Sequence, residues 1–211
     1  MSTDAPAIAV LDYGIGNLRS AEKALCHLGV DAALTADPHA VEQARGVVLP
    51  GVGAFGACMR ALRASGLESV ALEAATDGRP FLGVCVGMQM LFDGSDEDPD
   101  EPGLGIVAGQ VTRLPATVRL PQIGWNTVEH RPGSRLLANL AEPTWLYFVH
   151  SFAPEPSDDA VVAGWSEYGR RFVAAIEQGP VWATQFHPEK SGTTGLALLE
   201  NFVAACAARA A

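Results

Sequence analysis

The first 85 residues alternate between short apolar runs and helix-forming segments, and this alternation restricts the possible folds more than any other feature of the sequence. The apolar runs AIAVLD (7–12), DAALTA (31–36), GVVLP (46–50) and RPFLGV (79–84) have the length and composition of buried strands. Strands separated by helices form parallel sheets with right-handed crossovers, and helices then cover both faces. We therefore expect an α/β fold with a parallel sheet at its centre.

The second half of the sequence has a different pattern. An acidic loop rich in Pro and Gly follows residue 93, and short strand-like runs come after it: GIVAGQVTRL, QIGWNTVEH, TWLYFVH, AVVAGWSEY, RRFVAAIE and PVWATQFH. Pairs of such runs joined by short turns predict antiparallel strands added to the same sheet, and an apolar-striped segment predicts a C-terminal helix. We expect one domain over residues 1–211, a three-layer α/β/α sandwich with a mixed, mainly parallel central sheet.

Composition narrows the classes of partner. The formal net charge is −10, whereas nucleic acids and anionic membranes are bound by basic surfaces. No apolar run reaches the roughly 20 residues of a membrane span, and the first residues do not resemble a signal peptide. The four cysteines are widely scattered without a C-x-x-C pair, which favours free thiols in a reducing compartment. We expect a cytoplasmic protein that binds neither nucleic acid nor membrane.

The stretch G-V-C-V-G (83–87) places Cys85 at the corner between a strand and a helix. Its spacing is that of the G-x-S-x-G nucleophile elbow, with Cys in place of Ser. Glycines two residues to either side avoid collisions with the neighbouring elements at so sharp a turn. The alternative is a small core residue, as cysteine commonly is, and that interpretation is preferred for the cysteines in apolar helical patterns: Cys26, Cys58 and Cys206.

A thiol nucleophile needs a base, and the base needs a group that orients it. In QFHPEKS (185–191), Glu189 follows His187 by two residues across Pro188. Pro188 favours an extended backbone before it, in which residues i and i+2 point to the same side. Glu189 is therefore predicted to accept a hydrogen bond from His187, whose other ring nitrogen faces the thiol. His150 could be structural or line a site, and three histidines are expected to be exposed: His27, His39 and His130.

The run GVGAFG (51–56) matches the G-x-G-x-x-G dinucleotide fingerprint. The match is weak, because the fingerprint normally follows the first strand of its unit and the candidate acids, Glu68 and Glu73, lie within a helical stretch. Attack of a thiolate on an amide carbonyl produces an oxyanion, which needs backbone N–H donors. The amide of Val86, directly after the candidate nucleophile, is one such donor.

These motifs together resemble those of the class I, triad-type glutamine amidotransferases. Within that class the chain is most similar to the glutaminase subunits of imidazole glycerol phosphate synthase, an enzyme of histidine biosynthesis, on the strength of DYGIGN (12–17), LPGVGAF (49–55), PQIGWN (121–126) and YFVHSF (147–152). The similarity runs in order from about residue 8 to residue 202. Two departures, Val86 where the family usually has Leu and Phe152 where Tyr is common, remove no functional group.

The resemblance implies hydrolysis of glutamine by a triad of Cys85, His187 and Glu189. It also implies that the loop Pro50–Gly53 supplies a second oxyanion donor, and that several residues contact the substrate. The oxyanion residues would be Val52, Gly53 and Val86, and the substrate contacts Gln89, Ser151 and Glu97. No metal or organic cofactor is expected, and the acidic stretch 93–101 is interpreted as a solvated loop because it lacks the ligand pattern of a calcium loop.

The resemblance further implies a partner, a (β/α)₈-barrel cyclase that uses the ammonia to make imidazole glycerol phosphate and aminoimidazole carboxamide ribotide. The residues that match family positions at or near this interface are Asn17, Trp125, Tyr147 and Lys190. Three alternatives compete with this assignment. The stretches PQIGWN and YFVHSF argue against the glutaminase subunit of the vitamin B6 synthase, and the intact triad argues against a non-catalytic regulatory module on the same scaffold. The third, a cysteine hydrolase of γ-glutamyl peptides, should act alone.

Overall fold

The computed structural model of the chain describes residues 7–208. In this part the helices are α1 (Leu18–His27), α2 (Pro38–Gln43), α3 (Phe55–Ala64), α4 (Glu68–Thr76), α5 (Val86–Gln89) and α6 (Gly192–Ala208). The strands are β1 (Ile8–Leu11), β2 (Ala32–Thr35), β3 (Gly46–Gly51), β4 (Phe81–Cys85), β5 (Gly94–Ser95), β6 (Gly109–Arg113), β7 (Gln122–His130), β8 (Thr144–His150), β9 (Phe152–Pro156), β10 (Val162–Glu167), β11 (Arg171–Gln178) and β12 (Val181–Thr184). Two short 3₁₀ helices lie at 159–161 and 188–190.

The main sheet has nine strands in the order β2-β1-β3-β4-β12-β11-β10-β7-β8. The first five of these run parallel to one another, and each remaining neighbour pairs antiparallel. Strand β4 therefore lies well inside the sheet, between β3 and β12, and its carboxyl end carries Cys85. Helix α1 packs with α6, and α2 packs with α4. The expected α/β/α sandwich with a mixed, mainly parallel sheet is confirmed.

Local sequence signals explain the elements of the parallel half. Strands β1, β3 and β4 are buried along their whole length, as continuous apolar runs require when helices cover both faces of a sheet. In α1 the buried side chains are Leu18, Ala21 and Leu25, which lie on one helical face. Helix α2 begins with Pro38 after Asp37, whose side chain accepts a hydrogen bond from the backbone N–H of His39 at 3.0 Å.

The expectation that all the later strands join the main sheet is wrong for one of them. Strand β6 instead belongs to a separate three-stranded sheet, in the order β5-β6-β9. Its antiparallel partner β9 was not predicted, because FAPEP has two prolines and little strand character. Pro154 and Pro156 nevertheless pair with Val111 and Gly109, as proline can at the edge of a sheet.

Most residues of the acidic stretch 93–101 are exposed, as expected for a solvated loop, but the stretch also forms ion pairs with α3. Arg60 on α3 lies 2.8 Å from a carboxylate oxygen of Asp98 and 3.0 Å from one of Glu101. Arg63, one helical turn later, also pairs with Glu101. The stretch is therefore held against α3 by ion pairs. Among the described residues, none of the helices has the length and apolar character needed to span a membrane.

Candidate active site

Cys85 is the last residue of β4, and its backbone has the geometry of a sharp corner. Its φ of 56° and ψ of −112° place a non-glycine residue at positive φ, a strained conformation that is typical of functional sites. A Cβ on Gly83 would lie 2.9 Å from the carbonyl oxygen of Gly87, and a Cβ on Gly87 would lie 1.9 Å from that of Leu49. Both glycines are therefore required by the close packing of the elbow.

The histidine predicted to act as base lies against the thiol. Nδ1 of His187 is 2.8 Å from Oε1 of Glu189, and both side chains are buried. The other ring nitrogen is left for the hydrogen bond to Cys85. Burial lowers the pKa of His187, but the hydrogen bonds to Cys85 and Glu189 outweigh burial and raise the pKa to about 9. The structure thus brings the three predicted triad residues together.

The route by which Glu189 reaches His187 differs from the one expected. The residues after His187 form a 3₁₀ turn, Pro188–Lys190, rather than an extended strand. Only His187 itself has extended dihedrals, with φ −101° and ψ 97°, as the residue before proline prefers. The proline, preset for a helical first turn, then curls the chain back so that the carboxylate meets the ring.

The backbone of His187 is bound to strand β8. Its N–H donates to the carbonyl oxygen of Tyr147 at 2.9 Å. Ser191 accepts a hydrogen bond from the N–H of Tyr147 at 3.0 Å and donates to the carbonyl oxygen of His187 at 2.6 Å. The first bond connects the histidine directly to β8, and the other two connect it to β8 through Ser191.

A pocket of about 350 Å³ opens above Cys85, within the size range of small-molecule sites. The predicted site residues that line it are Asn17, Val52, Gly53, Cys85, Val86, Gln89, Glu97, Ser151, His187 and Lys190. Glu189 lies behind His187, and Trp125 and Tyr147 are outside the pocket. Sequence reasoning assigned no definite place to four further lining residues: Pro121, Val149, His150 and Phe152.

Two glutamines pack beside the thiol. Gln89 donates from Nε2 to Oε1 of Gln185 at 3.0 Å and to the carbonyl oxygen of Phe152 at 3.3 Å. Nε2 of Gln185 lies 3.9 Å from Sγ of Cys85. Both N–H groups of Gln89 therefore have protein partners, which leaves its Oε1 as the atom that can face a ligand. No role was predicted for Gln185, although it opens the motif that contains His187.

The loop Pro50–Gly53 lies directly against the elbow. Gly51 pairs with Cys85 in the β3–β4 ladder, and a Cβ on Gly51 would lie 2.7 Å from the backbone nitrogen of Gly87. Gly53 has a φ of +102°, which favours glycine. Gly51 thus serves close packing beside Cys85, whereas Gly53 serves the turn of the backbone. Beyond the loop, Glu97 accepts a hydrogen bond from the N–H of Phe55 at the start of α3, at 2.7 Å.

His150 is buried at the wall of the pocket, with Nδ1 2.8 Å from the carbonyl oxygen of Phe152 and Nε2 3.0 Å from the side-chain amide of Gln122. Burial is the main cause that lowers the pKa of His150 to about 4, so the ring is neutral at neutral pH. Of the two possibilities left open for His150, the structure combines both, since it is buried in a hydrogen-bonded position and lines the pocket.

The outer face of the β7–β8 pair carries large exposed apolar side chains. Ile123, Trp125 and Trp145 are 64%, 53% and 50% exposed, respectively, and we call these three residues the β7–β8 patch. Tyr147 packs edge-on against Trp125, with ring centroids 5.9 Å apart. Ile123 pairs with Val149, which lines the pocket, so the patch extends from the pocket mouth. Trp145 was not predicted to lie on this surface. Among the described residues there is no cluster of three His, Cys, Asp or Glu side chains that could bind a metal ion.

Comparison with known proteins identifies the family of the chain. The family model described as glutamine amidotransferase class-I matches residues 9–206. The chain is 47% identical to imidazole glycerol phosphate synthase subunit HisH of Thermobifida fusca, over 94% of this chain and 98% of that protein. It is 48% identical to the subunit of the same name from Methanothermobacter thermautotrophicus, over 93% of this chain and 97% of that protein.

Solved structures support the fold. A crystal structure of glutamine amidotransferase matches with a TM-score of 0.76 at 23% identity, over 95% of this chain and 99% of that one. The structure of PurLQS from Thermotoga maritima matches with a TM-score of 0.74 at 18% identity, over 95% and 98% of the two chains. The extent of the family match and the identity to the HisH subunits lead to one conclusion: this chain belongs to the class-I glutamine amidotransferases.

Proposed function

We propose that this chain is the glutaminase subunit of an imidazole glycerol phosphate synthase, and that it hydrolyses glutamine to glutamate and ammonia for histidine biosynthesis. The observation that carries the proposal is the arrangement of Cys85, His187 and Glu189 at a pocket, in a chain 47% identical to a HisH subunit over nearly its whole length. The intact triad argues against a non-catalytic module, and the names of the relatives argue against a vitamin B6 enzyme.

The chemistry is acyl transfer. The proton of the Cys85 thiol passes to His187, and the sulfur attacks the side-chain amide carbon of glutamine. The carbonyl oxygen becomes an oxyanion, for which the backbone N–H groups of Val52, Gly53 and Val86 would be the donors. Collapse of this intermediate breaks the C–N bond, and His187 protonates the departing ammonia. A water molecule, deprotonated by His187, then cleaves the thioester to give glutamate and the free thiol.

The pocket offers acceptors for the remainder of the substrate. Gln89 presents only its carbonyl oxygen, so it accepts a hydrogen bond from glutamine rather than donating one. The carboxylate of Glu97 lines the same pocket and is suited to the α-ammonium group. Ser151 adds a hydroxyl that can meet the α-carboxylate. The three groups would hold the amide carbon over Cys85.

The proposed partner is a (β/α)₈-barrel cyclase that docks on the β7–β8 patch. Free ammonia in water becomes mostly ammonium, which is not a nucleophile, so the site of its use must adjoin the site of its release. An exposed cluster of one Ile and two Trp side chains is typical of a protein interface. Asn17 and Lys190 line the pocket near the same mouth and would add polar contacts at the rim.

The test is glutamate formation by the chain together with the cyclase subunit from the same organism. We expect Cys85→Ala to abolish glutamine hydrolysis, a loss of several orders of magnitude, while the complex still cyclises its substrate when ammonium salt is supplied at alkaline pH. The matched control is Cys26→Ala, because Cys26 is exposed, where the sequence wrongly predicted a core position, and it does not line the pocket. Glutaminase activity retained in Cys85→Ala would overturn the mechanism, and full turnover by the chain alone would favour the stand-alone hydrolase.

A further inference from the structure

Two buried side chains donate hydrogen bonds to the backbone of the loop Pro50–Gly53. Oη of Tyr13 lies 2.6 Å from the carbonyl oxygen of Pro50. Sγ of Cys58 lies 3.5 Å from the carbonyl oxygen of Val52, a normal separation for a thiol donor. Tyr13 is 4% exposed and Cys58 is fully buried. Neither residue touches the pocket, and neither has a part in the proposed chemistry.

The two carbonyls belong to peptide units on either side of a single intervening one. The Pro50 carbonyl is part of the Pro50–Gly51 unit, and the Val52 carbonyl is part of the Val52–Gly53 unit. Between them lies the Gly51–Val52 peptide, whose N–H is that of Val52. Because each peptide is a rigid plane, this middle plane can rotate by opposite changes in ψ of Gly51 and φ of Val52 while its neighbours stay in place. When both neighbours are held, this coupled rotation is the one movement left to the middle plane, so holding them narrows the directions in which the Val52 N–H can point.

Other contacts hold the loop on its remaining sides. The close approach of Gly51 to Gly87 prevents the loop from moving toward the elbow. Glu97 holds the N–H of Phe55 where the loop passes into α3. Tyr13 and Cys58 supply the hydrogen bonds from beneath, and burial raises the pKa of both groups, so both keep the proton that they donate at neutral pH.

We propose that Tyr13 and Cys58 are positioning residues that fix the peptides flanking Gly51–Val52, and so limit the directions in which the Val52 N–H can point relative to the oxyanion formed at Cys85. The inference rests on the proposed function. It assigns to these two side chains a part in turnover that does not require contact with glutamine.

The expected effect is a loss of turnover without a loss of substrate binding. Removal of a whole oxyanion donor costs roughly 10²–10³ in kcat, and a donor that is present but less well held should cost less. We expect Tyr13→Phe and Cys58→Ala each to lower kcat about tenfold, with KM changed less than about twofold, because the groups that bind glutamine are untouched. Cys58→Ser, which restores a donor, should recover most of the lost kcat.

The experiment uses the complex with the cyclase subunit and imidazole glycerol phosphate as the ligand of the cyclase site. All variants carry Cys26→Ala, so that iodoacetamide reports on Cys85 without an exposed thiol elsewhere. Alkylation needs the sulfur but no oxyanion donor, so its rate should match that of the parent in both variants. Cys206→Ala is the matched control, because it also removes a buried thiol but lies on α6.

The results distinguish a failure of the proposed glutaminase function from a failure of the positioning role of Tyr13 and Cys58. If the parent complex hydrolyses no glutamine, the proposed function fails. If the parent is active and both Tyr13→Phe and Cys58→Ala retain its kcat, the positioning role is overturned. A parallel fall in alkylation rate, or an equal rise in KM, would indicate general damage to the elbow and would also overturn it. Tyr13→Phe keeps the aromatic ring in the core, so the test remains decisive even if Cys58→Ala does not fold.

Discussion

The carboxylate of Glu189 meets Nδ1 of His187 at 2.8 Å with one oxygen, while its other oxygen, Oε2, is buried without a hydrogen-bond partner among residues 7–208. All of the hydrogen bonding that this carboxylate makes in the described structure is therefore directed at the ring. The carboxylate fixes the tautomer with hydrogen on Nδ1, so that Nε2 faces the sulfur of Cys85. Because this carboxylate hydrogen-bonds only to the ring in the described structure, a neutral side chain at position 189 should not be able to take over its role.

Glu189→Gln should test this dependence. The amide can offer an N–H to Nδ1 and so stabilise the wrong tautomer, and it removes a charge that helps to raise the pKa of His187. We expect kcat for glutamine to fall by roughly 10²–10⁴, the upper end being the loss seen when the acid of a catalytic triad becomes its amide. Steady-state glutaminase kinetics in the complex provide the measurement.

The matched control is Glu129→Gln, which removes an exposed carboxylate paired with Arg171. It should leave kcat within a factor of two of the parent. A Glu189→Gln enzyme with full activity, its fold verified by circular dichroism, would show that the orienting charge is dispensable.

Because His150 is buried, the stability of the folded chain should decrease in acid. Its pKa is about 4 in the folded chain and about 6.5 when unfolded, so the unfolded state binds more protons between these values. The stability that depends on neutral His150 is complete above pH 6.5 and is lost as the pH falls toward 4, to a total of about 3 kcal/mol. Burial is the main cause, and the nearby His187 and Arg170 add to it.

His150→Gln keeps a polar side chain but cannot titrate. The free energy of unfolding in urea should therefore fall less steeply between pH 6.5 and pH 5 in this variant, by about 2 kcal/mol relative to the parent. His39→Gln, at an exposed surface histidine, should follow the parent curve. Parallel curves for the parent and His150→Gln would mean that His150 is not held neutral by the fold.

Much of the fold could be predicted because the parallel half is encoded locally. Each of β1, β3 and β4 is a continuous apolar run, and Asp37 followed by Pro38 marks the start of α2. The small sheet depends instead on pairing between segments distant in sequence, with Arg113 opposite Phe152. The local sequence does not predict that pairing, because the two prolines of β9 are unusual in a strand and are tolerated here only because β9 lies at the edge of the sheet.

The candidate active site also combines residues that local motifs predict with contacts between distant segments that they do not. Cys85 and His187 were predicted because each lies in a short motif whose neighbouring residues indicate its role. The contact of Gln89 with Gln185 joins side chains 96 residues apart, and a glutamine in a sequence shows nothing about which amide it will meet. The pairing of Glu189 with His187 was predicted, yet through an extended chain, because the rule for the residue before a proline does not describe the turn that follows it.

Gly87, at the end of the elbow, should be important for the stability of the fold. A Cβ on Gly87 would lie 1.9 Å from the carbonyl oxygen of Leu49, a backbone atom of a central strand that cannot move aside. Gly87→Ala should therefore reduce the free energy of unfolding by about 3 kcal/mol or more. Gly94→Ala is the control, since its Cβ would meet only the flexible side chain of Gln110 at 3.2 Å. Equal stability of the two variants in urea would contradict the steric account of the elbow.

The β7–β8 patch is where the proposed cyclase subunit is expected to bind. Trp125 is 53% exposed and packs edge-on against Tyr147, whose backbone is bound to His187. Truncation of a central interface tryptophan typically costs 2 kcal/mol or more, so Trp125→Ala should weaken the complex by roughly 30-fold or more in calorimetric titration. Trp165→Ala is the matched control, because the Trp165 ring is already covered by the guanidinium of Arg171 at 4.5 Å and should contribute little to docking. If Trp125→Ala binds the cyclase as tightly as the parent while Trp165→Ala does not, the docking surface lies at the other end of the sheet face and not at the pocket mouth.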